Sequence, residues 1–138
     1  MRLKKALADM INLERICRVA TAGPSGMPHA VPVCQVVDDG KIYFASYVKG
    51  RKMANLEANP QVAVTVDLYY EAWARLSGVM VQGRVTLIRK GPRFRRVRQM
   101  LYDKYPQYPV RAPLDESDSV IIEVTPNHVF TWGLEKQS

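Results

Sequence analysis

Apolar positions along the chain follow two periods. Over residues 3–15 they fall at Ala6, Leu7, Met10, Ile11 and Leu13, the spacing of one face of an amphipathic helix. From Ile16 onward the period becomes two. Residues 16–22 alternate as a strand, and the Gly23-Pro24-Ser25-Gly26 run that follows is a turn by composition. Residues 28–37 read as a second strand, where Pro28 and Pro32 demand an edge or a bulge because proline cannot donate to a ladder. Asp38-Asp39-Gly40 is a hairpin signal leading into a strand at 41–46. A short helix over 50–59 ends at Asn59 before Pro60. Residues 61–68 alternate cleanly, 69–75 follow neither period, and 77–88 form a long strand that Gly83 marks for a bend or bulge. Phe94, Val97, Met100, Leu101 and Tyr105 make one apolar stripe on a helix over 91–105. A Pro-rich loop at 106–117 precedes two last strands, 119–124 and 127–132, joined through Thr125-Pro126. This pattern predicts a mainly β (α+β) fold. Six or seven antiparallel strands curl into a barrel flanked by short helices.

The 138 residues, 47% of them apolar, suit one domain over 1–138 with a single core and a short tail at 134–138. No run approaches the ~18 apolar residues of a membrane span, and the first fifteen residues have no clean apolar signal segment. A soluble, cytoplasmic protein with no membrane partner is expected. Cys17 and Cys34 have no CxxC spacing and no histidine-rich neighbourhood, so the expectation is two buried reduced thiols and no metal.

The net charge of +7 is compatible with nucleic acid, anionic membrane or a phosphorylated small molecule as partner. Its distribution narrows the choice. Six of the twenty basic residues lie between Arg89 and Arg98, on a helix where they read as a solvated face. The one aromatic residue among them, Phe94, belongs to the apolar stripe, and the run matches no nucleic-acid motif, so no nucleic-acid partner is expected. Lys49, Arg51 and Lys52 are different, because they stand at a helix start. Free N–H groups there attract anions, and the macrodipole disfavours cations. Two cations at that end make sense if a phosphate neutralises them, Arg gripping it with two donors and Lys acting as a point charge. Elsewhere chemistry is thin. His29 and His128 read as strand-surface residues, Trp73 as packing, and Ser46 has no histidine–carboxylate partner set, so no catalytic side chain is assigned.

Several segments taken in order narrow the reading further. They are Gly26-x-Pro28-His29-x-x-Pro32, Asp39-Gly40-x-Ile42-Tyr43-Phe44, Gly50-Arg51-Lys52-x-x-Asn55-Leu56-x-x-Asn59-Pro60-x-Val62-Ala63, Val79-x-Val81-x-Gly83-x-Val85 and Phe130-x-Trp132. Together they resemble the pyridoxamine 5′-phosphate oxidase-like split-barrel family over about residues 10–133. The resemblance implies a homodimer with FMN, or the deazaflavin coenzyme F420, at the subunit interface. It implies that Val31, Pro32, Val33 and Cys34 line the flavin through backbone groups, and that Ala45 and Ser46 sit at the ribityl–phosphate end. Arg51 and Lys52 match the family's phosphate-binding pair, with Lys49 beside them. Gly78 falls where members often carry a cofactor-touching Gln, and Trp132 would pack near the ring from the other subunit. The Arg-x-His-x-Arg of true pyridoxamine phosphate oxidases is absent from the C-terminus, so vitamin B6 oxidation is not expected. The implied function is an oxidoreductase in which the flavin carries the hydride chemistry. A flavin carrier without turnover is the alternative.

Overall fold

A computed structural model describes residues 1–133; the expected tail at 134–138 lies outside the described residues. The elements are α1 (Lys5–Leu13), β1 (Cys17–Ala22), β2 (Pro28–Val33), β3 (Gln35–Asp38), β4 (Lys41–Tyr47), α2 (Arg51–Ala58) and β5 (Gln61–Leu68). A single 3-10 turn (Trp73–Arg75) precedes β6 (Ser77–Ile88), α3 (Pro92–Lys104), α4 (Tyr108–Arg111) and β7 (Ser119–Trp132). The strands form one seven-stranded antiparallel sheet in the order β2-β1-β5-β6-β7-β4-β3.

The two edge strands, β2 and β3, are consecutive in the chain with only Cys34 between them. Two peptide units span at most about 7 Å. The sheet therefore has to curl until its edges meet, which produces the split barrel that the alternating pattern predicts. The 28–37 segment is thus two strands rather than one. Its first half pairs with β1 and its second with β4, partners at opposite ends of the sheet, so its continuity in sequence becomes a corner in space.

The curl separates two cores. Inside the barrel, Cys17, Val19, Phe44, Leu56, Val64, Val81, Ile122 and their neighbours pack together. Outside it, α3 lays Phe94, Val97 and Leu101 on Tyr43, Ala45 and Ile121. Alternation along β4 and β7 divides these residues, since successive side chains point to opposite faces. One polar cluster is built into the outer core. The buried Glu123 carboxylate accepts from the Tyr43 hydroxyl at 2.7 Å, pairs with Arg93 of α3, and has Lys41 at 3.7 Å.

Other expectations meet the structure as follows. Pro28 and Pro32 do lie on an edge strand, and the β6–β7 register does shift between Gln82 and Gly83. The two strands expected at 119–124 and 127–132 are one. Pro126 stands opposite Gly83 at that irregularity, where a missing donor is tolerated. The Pro-rich segment holds a helical turn, α4, and Trp73 is 73% exposed rather than packed. Cys17 is buried as expected, whereas Cys34 at the corner is only partly covered. The Arg89–Arg98 run is not a free basic face. Arg89 pairs with Glu57, Arg95 with Glu116 and Arg96 with Asp38, and Arg98 donates to the Leu114 carbonyl.

Candidate functional site

Where the edges of the sheet meet, they do not seal, and a cleft of about 250 Å³ opens. One wall is Pro32, Val33 and Cys34, from the end of β2 and the corner. The facing wall is Ala45, Ser46 and Tyr47, from the end of β4, with Lys52 of α2 beside it. Tyr108, Ala112 and Leu114 close the third side. Six of the residues singled out from sequence therefore come together: Pro32, Val33, Cys34, Ala45, Ser46 and Lys52. Val31 does not reach the cleft and packs against the inner core. Lys49 and Arg51 are exposed on either side of Gly50, at the start of α2.

The start of α2 is bare. Gly50 caps it at a φ of 128°, in the left-handed region that favours glycine, with no side-chain cap. No acidic residue occupies the first turn, and among the described residues no side chain caps its first amide groups. Lys52 projects from this turn across the Phe44 ring, its Nζ 5.5 Å from the ring centroid. Burial pulls its pKa below the usual 10.5. Among the described residues neither Lys52 nor Arg51 makes an ion pair. A partly buried cation without a counter-charge is costly, and a bound anion relieves the cost. The Ser46 hydroxyl donates to the neighbouring Tyr47 carbonyl at 3.2 Å and keeps its own lone pairs free to accept.

The helix is held against β1 by two asparagines. The buried Asn55 amide donates to the Thr21 hydroxyl at 3.0 Å, and Asn59 donates to the Ala22 carbonyl at 3.1 Å. A Cβ at Gly23 would collide with the Asn55 side chain, which explains a glycine where the strand turns away.

Gly78 and Trp132 pair across β6 and β7 and are not part of the cleft lining. The Trp132 indole lies directly on Gly78 of its own chain, so a side chain at position 78 would displace it. Sequence reasoning missed Tyr108, Ala112 and Leu114. Their segment is aperiodic, and only the aromatic Tyr108 amid prolines hinted at a wall. Burial pushes the Tyr108 phenol above its ordinary pKa, so it stays a neutral donor. The two histidines lie on β2 and β7, outside the cleft, and no group of residues able to hold a metal occurs among the described residues.

A family model described as pyridoxamine 5′-phosphate oxidase matches residues 3–133. The chain belongs to this family. Solved structures of the same fold include an FAD-binding protein from Mesorhizobium loti at 22% identity. The match covers 94% of each chain, with a TM-score of 0.74. A protein named F420 reductase is 25% identical over 88% of this chain and 94% of its own, with a TM-score of 0.70. A heme storage protein from Vibrio cholerae, 16% identical over 94% of each chain, has a TM-score of 0.78. No curated protein matches the chain by sequence. No helix among the described residues is long and apolar enough to cross a membrane.

Proposed function

We propose that this family member is a flavin-dependent oxidoreductase that binds FMN in the cleft between the ends of β2 and β4. The observation that carries the reading is Lys52, a partly covered cation with no ion pair among the described residues, beside a helix start with free amides. The phosphate falls to Lys52, Arg51 and the first amides of α2, with Lys49 alongside. Ser46 accepts or donates at the ribityl end, and the Pro32–Cys34 backbone faces the ring system. The flavin supplies hydride transfer; the chain supplies binding, orientation and exclusion of water. No side chain is assigned as acid or base.

A homodimer is part of the same proposal. At about 250 Å³ the cleft is below the ~300–1,000 Å³ of complete small-molecule sites, so one chain holds part of a flavin. On the outer face of β2, β1, β5, the first half of β6 and the end of β7, side chains also stay partly or fully exposed among the described residues. Ala20, Ala30 and Ala63 line up across it, as do Thr65, Met80 and Phe130. Phe130 and Trp132 are 49% and 41% exposed, and a second copy would bury them while completing the site.

Coenzyme F420 is the second reading, since it offers the same phosphate chemistry and one structural neighbour is named an F420 reductase. A carrier without turnover is the third. Titration with FMN and F420, followed by absorption and thermal shift, tests the proposal. A tight complex with one of them in a dimer, reducible by a nicotinamide or deazaflavin donor, supports it. A colourless protein that neither cofactor stabilises overturns it. A bound flavin that no donor reduces leaves the carrier.

A further inference from the structure

The corner at Cys34 leaves a problem for the backbone. β3 is an edge strand, so the groups of Gln35 and Val37 that point away from β4 have no strand to meet. Side chains take that strand's place. The Tyr105 hydroxyl accepts from the Gln35 N–H at 3.0 Å and donates its one proton to the Arg15 carbonyl at 2.9 Å. Lys104 Nζ donates to the Gln35 carbonyl at 2.7 Å and to the Glu14 carbonyl at 2.8 Å. The Asn12 side chain accepts from the Val37 N–H at 2.9 Å. The Gln35 side chain, fully buried, donates to the Ile11 and Glu14 carbonyls at 2.9 and 3.0 Å. Arg15 closes the knot by donating to the Lys104 carbonyl at 2.9 Å. Both backbone groups of one residue, Gln35, are thus fixed by two consecutive side chains at the end of α3.

Gln35 is bonded directly to Cys34, and the cleft wall is Pro32, Val33 and Cys34. β1 holds this wall on one side through Val33, and the Tyr105–Lys104 knot holds it on the other. Asn12 and the Gln35 side chain tie the same corner to α1, but among the described residues only Tyr105 and Lys104 bring side chains to the Gln35 backbone itself. We propose that Tyr105 and Lys104 are positioning residues for the cofactor, setting where the Cys34 peptide stands against the flavin. This rests on the flavin reading above and adds to it the groups that shape the ring-side wall. Tyr105 does not line the 250 Å³ cleft itself and acts through Gln35. Its ring carries the Arg15 guanidinium at 4.8 Å and meets Tyr108 edge-on at 6.2 Å, so Tyr105→Phe keeps the packing and removes only the hydroxyl.

The test compares wild type, Tyr105→Phe, Lys104→Met and Lys104→Arg, each titrated with FMN and with F420. Tyr43→Phe is the control: it also removes a buried hydroxyl bond, to Glu123, but away from the cleft. If Tyr105 positions the wall, Tyr105→Phe weakens binding about tenfold and changes the visible circular dichroism of the bound cofactor. Lys104→Met does the same, and Lys104→Arg, which keeps a donor, recovers most of the affinity. Tyr43→Phe lowers Tm by a similar amount with affinity and spectrum unchanged. Wild-type affinity and spectrum in Tyr105→Phe and Lys104→Met would overturn the inference while leaving the flavin reading intact. Parallel losses in the Tyr43→Phe control would reduce the role to general stability and overturn it too. A wild type that binds neither cofactor overturns the flavin reading, and this inference with it.

Discussion

Two basic segments carry most of the chain's excess charge, and their neighbours treat them in opposite ways. In α3, Arg93 is tied to the buried Glu123, Arg95 to Glu116 and Arg96 to Asp38, and Arg98 reaches the Leu114 carbonyl. These charges are paired at the rim of the outer core: Arg93 and Arg96 tie the helix to β7 and β3, and Arg95 and Arg98 tie it to the segment before β7. At the start of α2, Arg51 and Lys52 have no ion pair among the described residues, and Lys52 is drawn toward a cleft. The larger cluster is paired within the chain, and the smaller one has no ion pair among the described residues. Counting charges does not separate the two; asking where each charge is satisfied does.

The comparison can be broken at both ends. The largest effect is expected on the structural side. Glu123→Gln leaves Arg93 and Lys41 without their buried partner and should cost about 3 kcal/mol, the lower end for a broken buried pair because Arg93 is half exposed. For a chain of this size that lowers Tm by roughly 6–12 °C, read by thermal unfolding, with flavin affinity kept. A flavin defect in that variant would join the two clusters into one. Next comes Lys52→Met. Losing a charge-assisted hydrogen bond removes about 1.5–3 kcal/mol, hence roughly a 10- to 150-fold weaker FMN complex by calorimetry, with Tm of the free protein unchanged or raised. Unaltered affinity would return Lys52 to the solvated surface.

A smaller, graded effect concerns pH. Burial lowers the Lys52 pKa from 10.5, so the free site loses its charge at a lower pH than an exposed lysine does. A bound phosphate favours the charged form. Affinity should therefore be steady near neutrality and fall as pH rises toward 10.5, with protons taken up on binding in that range. Lys52→Arg, which does not titrate there, should flatten the profile. The smallest effect is Arg96→Ala. It removes an exposed pair with Asp38, should cost at most about 1 kcal/mol, and should leave binding untouched.

Much of this was readable before any coordinates. Gly83 and the two prolines of β2 told of a bulge and an edge because their backbone chemistry leaves few other options. The clean alternation of 61–68 told of β5, and Gly50-Arg51-Lys52 told of a helix start. What escaped was set by partners distant in sequence. The break at Cys34 depends on β1 and β4 claiming the two halves of one apolar run. The continuity of β7 through Pro126 depends on Gly83 opposite it. The fates of Arg93 and Arg96 depend on Glu123 and Asp38. Local pattern carries propensity; which side chain meets which is decided by the curl of the sheet.

The position of β7 in the sheet has a further consequence, for synthesis. It lies between β4 and β6, yet it is made after the other six strands of the sheet. Until residues 119–132 leave the ribosome, the earlier strands have only two separate assemblies open to them: β2-β1-β5-β6 and the β3–β4 hairpin. Ile42 must then find Val124, and Val85 must already be in place on the other side of it. Such late, long-range pairing makes folding slow and leaves both pieces with exposed apolar edges meanwhile. The nascent chain is therefore most exposed to wrong pairing just before β7 arrives.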